Sequence, residues 1–239
     1  MKLLDLISDF IYPPRCPCCG EIGDNRNPCE MCAEDLENQR VDGKACRYCG
    51  LEKQYCRCKQ YHYLFSGVAA PFYNRNTAQN GIYMFKFSNA PFCAEYFGKQ
   101  MANVFKARFP KTDIDVIAIV PGTRKDLRKA YYDKVKLLAK VCSKELKVPL
   151  DAKLIKKIRQ TEKQHELKHD KRQQNVKGAF KVTKLLDGKT VLLIDDIKTT
   201  GYTLNECSKQ LRMAGAEKVF CLTALITLNK TCKDDENNV

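Results

Sequence analysis

The segment from Val191 to Thr203 constrains the fold of this 239-residue chain more than any other. It reads Val-Leu-Leu-Ile-Asp-Asp-Ile-Lys-Thr-Thr-Gly-Tyr-Thr. Four apolar residues followed by acidic ones are typical of a buried parallel strand that delivers polar side chains to its carboxyl end. Ligands of open α/β sheets bind at that edge, where a turn entering a helix offers backbone N–H groups to an anion. The segment therefore predicts a parallel α/β sheet with an anion site.

The turn after the two acids is rich in hydroxyl groups. Threonine hydroxyls and backbone amides can surround a phosphate, and Gly201 lets the backbone approach it without a Cβ. The aspartates would face ribose hydroxyls; their alternative role is to cap the next helix, which needs only one acid. A P-loop NTPase is excluded because no GxxxxGK[ST] motif occurs. We predict a phosphate and ribose site at Lys198, Thr199, Thr200, Gly201, Tyr202 and Thr203, with Asp195 and Asp196 as the catalytic candidates.

Nine of the fourteen cysteines lie between Cys16 and Cys58. Two CxxC pairs are followed by a CxxC and a CxC pair, and Cys18 is left over. Such spacing predicts tetrahedral zinc sites, and four thiolates leave no open position for catalysis. A disulfide framework is the alternative. The predicted structural zinc ligands are Cys16, Cys19, Cys29 and Cys32 at one site, and Cys46, Cys49, Cys56 and Cys58 at a less regular second site.

The first eleven residues contain one lysine, two aspartates and no small-residue cleavage site, so they predict a short helix rather than a secretory signal. No run of 18 apolar residues occurs, which argues against a transmembrane segment. Thiols stay reduced in a protein that is not exported. We therefore expect a cytoplasmic location.

The positive charge is concentrated in one region. The whole chain carries a net charge of +14, and residues 121–190 hold 21 Lys and Arg against 8 Asp and Glu. A basic region beside a phosphate site favours a polyanion, either a diphosphate or a nucleic acid strand. A solvated basic surface without a partner is the alternative.

Strands and helices alternate after residue 60, which predicts a mostly parallel sheet. We expect three parts: a short helix with a double zinc ribbon over 1–60, an α/β domain over 61–229, and a disordered tail over 230–239. The residues Gly122, Thr123, Arg124 and Lys125 directly follow the strand predicted over 114–120. They predict a loop that wraps a diphosphate, unless they form an ordinary basic loop.

Taken together, these motifs resemble the ComF proteins, in which a double zinc ribbon precedes a type I phosphoribosyltransferase fold. Besides the cysteines, the resemblance rests on Phe85-Lys86-Phe87, Val120-Pro121, the spaced set Thr161, Gln164, Leu167, Arg172, Asn175, Gly178 and Phe180, and Asp195-Asp196 with Thr199-Thr200-Gly201. It implies phosphoribosyl diphosphate with Mg²⁺, or a nucleotide-like ligand, in the site. It also implies a role with single-stranded DNA and competence proteins during DNA uptake.

The chain departs from the ComF pattern at residues 130–134. Those proteins usually carry Arg-Gly-Phe-Asn-Gln, whereas this chain has Ala-Tyr-Tyr-Asp-Lys, which loses a cation and a glycine and gains an acid. The loss weakens catalysis more than anion binding, so the resemblance favours a module that binds single-stranded DNA. Tyr131, Tyr132 and Phe180 are candidates for base stacking. An active phosphoribosyltransferase with an unknown acceptor is the alternative.

Overall fold

We analysed a computed structural model, which describes residues 13–23, 26–56, 58, 61–122, 131–159 and 174–228. The strands of its main sheet are β1 (Gly67–Ala69), β2 (Phe72–Tyr73), β3 (Val116–Ile119), β6 (Thr190–Lys198) and β7 (Lys218–Ile226). This sheet is parallel and has the strand order β1-β7-β6-β3, with β2 also pairing with β7. A separate antiparallel pair joins β4 (Ile155–Lys157) to β5 (Phe180–Val182). The predicted parallel α/β sheet is confirmed.

The described helices are α1 (Glu30–Glu37), α2 (Asn76–Phe87), α3 (Cys93–Arg108), α4 (Lys134–Leu146) and α5 (Tyr202–Met213), with a 3-10 turn at Lys53–Tyr55. The last four of these helices pack against the sheet, and α1 packs against α2. The positive φ of +96° at Gly215 ends the last helix, as its position after an apolar period predicts.

The side chains of β6 alternate between two hydrophobic cores, one on each face of the sheet. Leu192 and Ile194 pack in the core that includes residues of α2, α3 and α4. Val191 and Leu193 pack in the other core, which includes Leu204, Cys207 and Leu211 of α5. A strand buried on both sides explains the continuous apolar run in the sequence. This layering holds the carboxyl edge of β6 in place.

Several boundaries differ from the sequence prediction. The first strands after residue 60, β1 and β2, are short and both run parallel to β7. Hydrogen bonding to β7 also continues past Ile194, so that Asp195 and Asp196 lie inside β6 rather than after it. The predicted N-terminal helix and the predicted tail over 230–239 lie outside the described residues.

The cysteine-rich region packs directly on the α/β part. Cys16, Cys32 and Leu36 belong to the same core as Phe85 and Phe97. Cys93, Cys142, Cys207 and Cys221 are fully buried, as expected for cysteines that act as small apolar residues. Within the described part of the chain, we find no helix with the length and apolar character needed to cross a bilayer.

Candidate functional site

The two aspartates of the motif occupy consecutive positions on β6. The backbone N–H of Asp196 donates to Oδ1 of Asp195 at 2.9 Å. Burial, together with the nearby charge of Asp196, raises the pKa of Asp195 to about 8. Nζ of Lys86, on α2, lies 2.7 Å from Oδ2 of Asp196. The strand therefore presents one carboxyl group that holds its proton near neutral pH and one carboxylate that is paired with a cation.

The hydroxyl-rich turn runs directly from β6 into the start of α5. Gly201 precedes the helix with a φ of +85°, a conformation that residues with a Cβ rarely adopt. A Cβ at this position would also lie 3.1 Å from Cε of Lys198 and 3.4 Å from Cε1 of Tyr63. Thr200 is buried, and its Oγ1 accepts a long, 3.5 Å hydrogen bond from the N–H of Tyr202. The turn brings the backbone to a helix N-terminus, where an anion is favoured.

Lys198 has an unexpected environment for a lysine in an anion-binding turn. Its side chain is only 2% exposed, and its Nζ lies 5.7 Å from the centroid of the Tyr63 ring. Burial lowers the pKa of this ammonium. No local sequence signal indicates this burial, because lysine side chains are mostly exposed in folded proteins.

The predicted diphosphate loop is described only at Gly122, which is exposed after β3; Thr123, Arg124 and Lys125 lie outside the described residues.

The acid gained in the segment 130–134, where the chain departs from the ComF pattern, is Asp133. Its carboxylate accepts a hydrogen bond from the N–H of Lys136 and caps α4. This contact gives the acid a structural role at the start of a helix.

The three aromatic candidates for base stacking have different environments. Phe180 is buried, so its predicted stacking role is wrong. Tyr132 is partly buried against Phe85, with ring centroids 5.5 Å apart, and its hydroxyl donates to the carbonyl oxygen of Phe85. Tyr131 is 87% exposed. Two further aromatic residues of α2, Tyr83 and Phe87, are exposed, and neither was a sequence candidate for base stacking.

The eight predicted zinc ligands form two groups, as the spacing predicts. The first thiol cluster consists of Cys16, Cys19, Cys29 and Cys32, and the second thiol cluster of Cys46, Cys49, Cys56 and Cys58. In each cluster the sulfur atoms all lie within 4.8 Å of one another.

The sulfur spacing fits zinc. Tetrahedral Zn–S bonds of about 2.3 Å place the sulfurs about 3.8 Å apart. The distances are 3.8 Å for Cys19 to Cys29 and 3.6 Å for Cys46 to Cys58 and for Cys49 to Cys56. Burial raises the pKa of Cys16, but backbone N–H donors, first among them that of Cys29, outweigh it and lower the pKa to about 7. The geometry supports structural zinc at both clusters.

Comparison with protein families identifies the two parts of the chain. Residues 136–238 match the phosphoribosyl transferase domain, and residues 7–61 match the double zinc ribbon domain. The chain therefore has a phosphoribosyltransferase-type α/β fold preceded by a zinc ribbon domain, as the motifs predict.

Particular relatives are competence and DNA-utilization proteins. The chain is 36% identical to Competence protein F of Haemophilus influenzae over 91 residues, which cover 37% of this chain and 40% of that protein. It is 30% identical to the DNA utilization protein YhgH of Escherichia coli over 110 residues, which cover 45% and 48%. These matches span less than half of each relative. A solved adenine phosphoribosyltransferase superposes with a TM-score of 0.37 at 15% identity, over 63% of this chain and 86% of that one.

Proposed function

We propose that this chain is a ComF-type protein that binds a ribose 5′-phosphate in the turn between β6 and α5 and handles single-stranded DNA during DNA uptake. The observation that carries the proposal is the left-handed Gly201, which precedes α5 at the end of a short turn that follows the two consecutive aspartates of β6. A phosphate would occupy the turn of Thr199 to Thr203, and the ribose hydroxyls would contact Asp195 and Asp196. The names of the two relatives support the DNA role.

The same ligand geometry fits phosphoribosyl diphosphate. Its diphosphate would lie toward Gly122 to Lys125, with Mg²⁺ brought by the ligand. The protein would then position the ligand and stabilise charge, with Asp195 and Asp196 near the reacting carbon. Lys198 remains a proposed phosphate ligand, and its ammonium lies over the ring of Tyr63. Eight reduced thiols holding zinc fit the proposed cytoplasmic location.

The test is calorimetric titration of the full chain with phosphoribosyl diphosphate and Mg²⁺. The titration is run at pH 9, above the pKa of about 8 of Asp195. Under that condition we expect Asp195→Asn and Asp196→Asn each to weaken binding about tenfold or more, because each removes a charged acceptor from the ribose hydroxyls. The control is Asp187→Asn, since Asp187 is an exposed turn residue with a φ of +40° that asparagine tolerates. If the two site variants bind as tightly as this control, the ribose assignment is wrong.

Catalysis is the second candidate. Asp133 is engaged as a helix cap, so the acid gained in the departing segment does not by itself exclude turnover. Release of inorganic diphosphate from the bound ligand, in the presence of nucleobases or single-stranded DNA, would favour the enzyme. Salt-sensitive DNA binding without diphosphate release would favour the binding module.

A further inference from the structure

Two neighbouring aromatic side chains of α2 are exposed outside the predicted ribose site. Tyr83 is 60% exposed and Phe87 is 69% exposed. Their ring centroids are 4.7 Å apart, with 46° between the ring planes. Two large rings in contact on the surface leave apolar area in water that burial would stabilise, which marks an interaction site. We call this pair the aromatic face.

Cations border the aromatic face. Nζ of Lys134, the first residue of α4, lies 5.8 Å from the centroid of the Phe87 ring. Lys86 lies on the same turn of α2 as Phe87, and its ammonium contacts Asp196, the predicted ribose ligand, at 2.7 Å. The aromatic face is therefore one residue away from a side chain that reaches into the proposed site.

The start of α4 is held against this part of α2. The hydroxyl of Tyr132 donates to the carbonyl oxygen of Phe85, and their rings are 5.5 Å apart. This contact holds Tyr132, two residues before Lys134, against the part of α2 that carries Phe87. A preformed arrangement loses less conformational entropy on binding than one that must be ordered.

The combination of exposed rings and cations indicates the chemistry of the partner. A polyanion suits a chain with a net charge of +14. Exposed bases of a single strand offer flat faces for stacking, whereas a duplex hides them. We propose that the aromatic face stacks bases of the single-stranded nucleic acid whose ribose 5′-phosphate the turn after β6 holds. This proposal rests on the proposed function and adds the surface that contacts the bases.

The first test compares two variants in fluorescence anisotropy with a 5′-phosphorylated oligo(dT) at fixed salt. The double variant Tyr83→Ala with Phe87→Ala should bind the oligonucleotide roughly 5-fold to 100-fold more weakly, because stacking on an aromatic ring contributes that much per base. The control is Leu185→Ala: Leu185 is 75% exposed but precedes the amino end of β6, at the opposite edge of the sheet. The control should bind like the unaltered chain.

The second test detects stacking directly. The chain contains no tryptophan, so Phe87→Trp introduces a single tryptophan at the aromatic face, which can be excited selectively over the tyrosines. The emission of this tryptophan should be quenched when oligo(dT) is added. The Phe87→Trp variant should keep its affinity for oligo(dT), because an aromatic ring is replaced by another aromatic ring. Leu185→Trp, as the matched reporter, should show no quenching at saturation.

The outcomes separate this proposal from the proposed function. Calorimetry with phosphoribosyl diphosphate and Mg²⁺ should give the same affinity for the double alanine variant and the unaltered chain. If oligonucleotide affinity is unchanged in the double variant, the aromatic face has another partner, such as a protein, and the inference fails while the proposed function stands. If the unaltered chain binds no oligonucleotide, both fail. Equal losses of both ligands would mean that the rings only support folding, and would overturn the inference.

Discussion

The two thiol clusters have the same four-cysteine composition but pack against different parts of the α/β domain. Next to the first cluster, a Cβ at Gly20 would lie 3.1 Å from Sδ of Met84, on α2. Next to the second cluster, a Cβ at Gly50 would lie 2.9 Å from Cδ1 of Ile226, at the end of β7. The first cluster thus supports the helix that carries the aromatic face, and the second supports the carboxyl edge of the sheet.

The contacts of the second cluster extend to the phosphate turn. Ile226 pairs with Lys198 in the sheet. Tyr63 packs against the core formed by the second cluster, and its ring also lies beside Lys198 and Gly201. The two thiol clusters are chemically alike, but loss of zinc from the second cluster should disturb the phosphate turn more than loss of zinc from the first.

The largest expected effect comes from removing one zinc ligand of each cluster. Cys32→Ser and Cys49→Ser each change one buried thiol, the first in the first cluster and the second in the second cluster. Each should lose about one equivalent of zinc, because structural zinc contributes about 10 kcal/mol or more to the folding of such sites. We expect Cys49→Ser to weaken binding of phosphoribosyl diphosphate more than Cys32→Ser does. Elemental analysis, thermal unfolding and calorimetry measure the three quantities.

Cys18→Ser is the control for these variants. Cys18 is buried beside the first cluster but is not one of its four ligands. Its substitution should leave the zinc content unchanged. If Cys32→Ser and Cys49→Ser lower ligand affinity equally, the two clusters do not differ in the way that their packing indicates.

Gly201→Ala tests the phosphate turn beside the second cluster. The added Cβ would combine strain at a φ of +85° with close contacts to Lys198 and Tyr63. We expect a loss of about 1–3 kcal/mol in the free energy of unfolding, and phosphate-ligand affinity reduced about tenfold or more. Denaturant unfolding and calorimetry check these values.

The matched control for that glycine is Gly188→Ala. Gly188 has a φ of +78°, and a Cβ there would have no neighbour within 4 Å. Strain alone should reduce the stability by about 1–2 kcal/mol without changing ligand affinity. Equal affinities for the two variants would contradict the role of the Gly201 turn in binding.

The sequence predicted the sheet, the helices around it and both thiol clusters because each has a local signature. Apolar periodicity marks the buried elements, and the spacing of the cysteines lets their sulfurs meet around one ion. The end of β6 was placed too early, since Asp195 looks like the end of an apolar run. The pairing with Thr223 of β7 that extends the strand depends on a partner distant in sequence.

The details around the site were harder to predict, because burial depends on tertiary packing. Nothing local distinguishes the buried Lys198 from a solvated lysine. Phe180 looks available for stacking until β5 is seen to pack in the core. Tyr83 and Phe87 are four residues apart in the sequence, and that spacing places two side chains on the same face of a helix such as α2.

The smallest expected effect is a difference in pH dependence between ligand binding at the phosphate turn and base stacking on the aromatic face. Because burial and the neighbouring Asp196 raise the pKa of Asp195 to about 8, its carboxyl ionises as the pH rises from 7 to 9. If the ligand and Mg²⁺ bind the ionised form, affinity for phosphoribosyl diphosphate should increase about tenfold over that range. Stacking on the aromatic face involves no such group and should change little. Calorimetry and oligonucleotide anisotropy at several pH values measure the two responses.

Asp195→Asn supplies the control for the pH response, because it removes the titrating group and should flatten the affinity profile. The same group affects stability with a definite sign. Its pKa is higher in the folded protein than the ordinary value of 3.8, so the folded state binds the extra proton between about pH 4 and 8. Its contribution to the free energy of unfolding therefore falls as the pH rises through that window, and Asp195→Asn should lessen the fall. If the affinity for phosphoribosyl diphosphate rises with pH as much in Asp195→Asn as in the unaltered chain, the titrating group is a phosphate of the ligand and not Asp195.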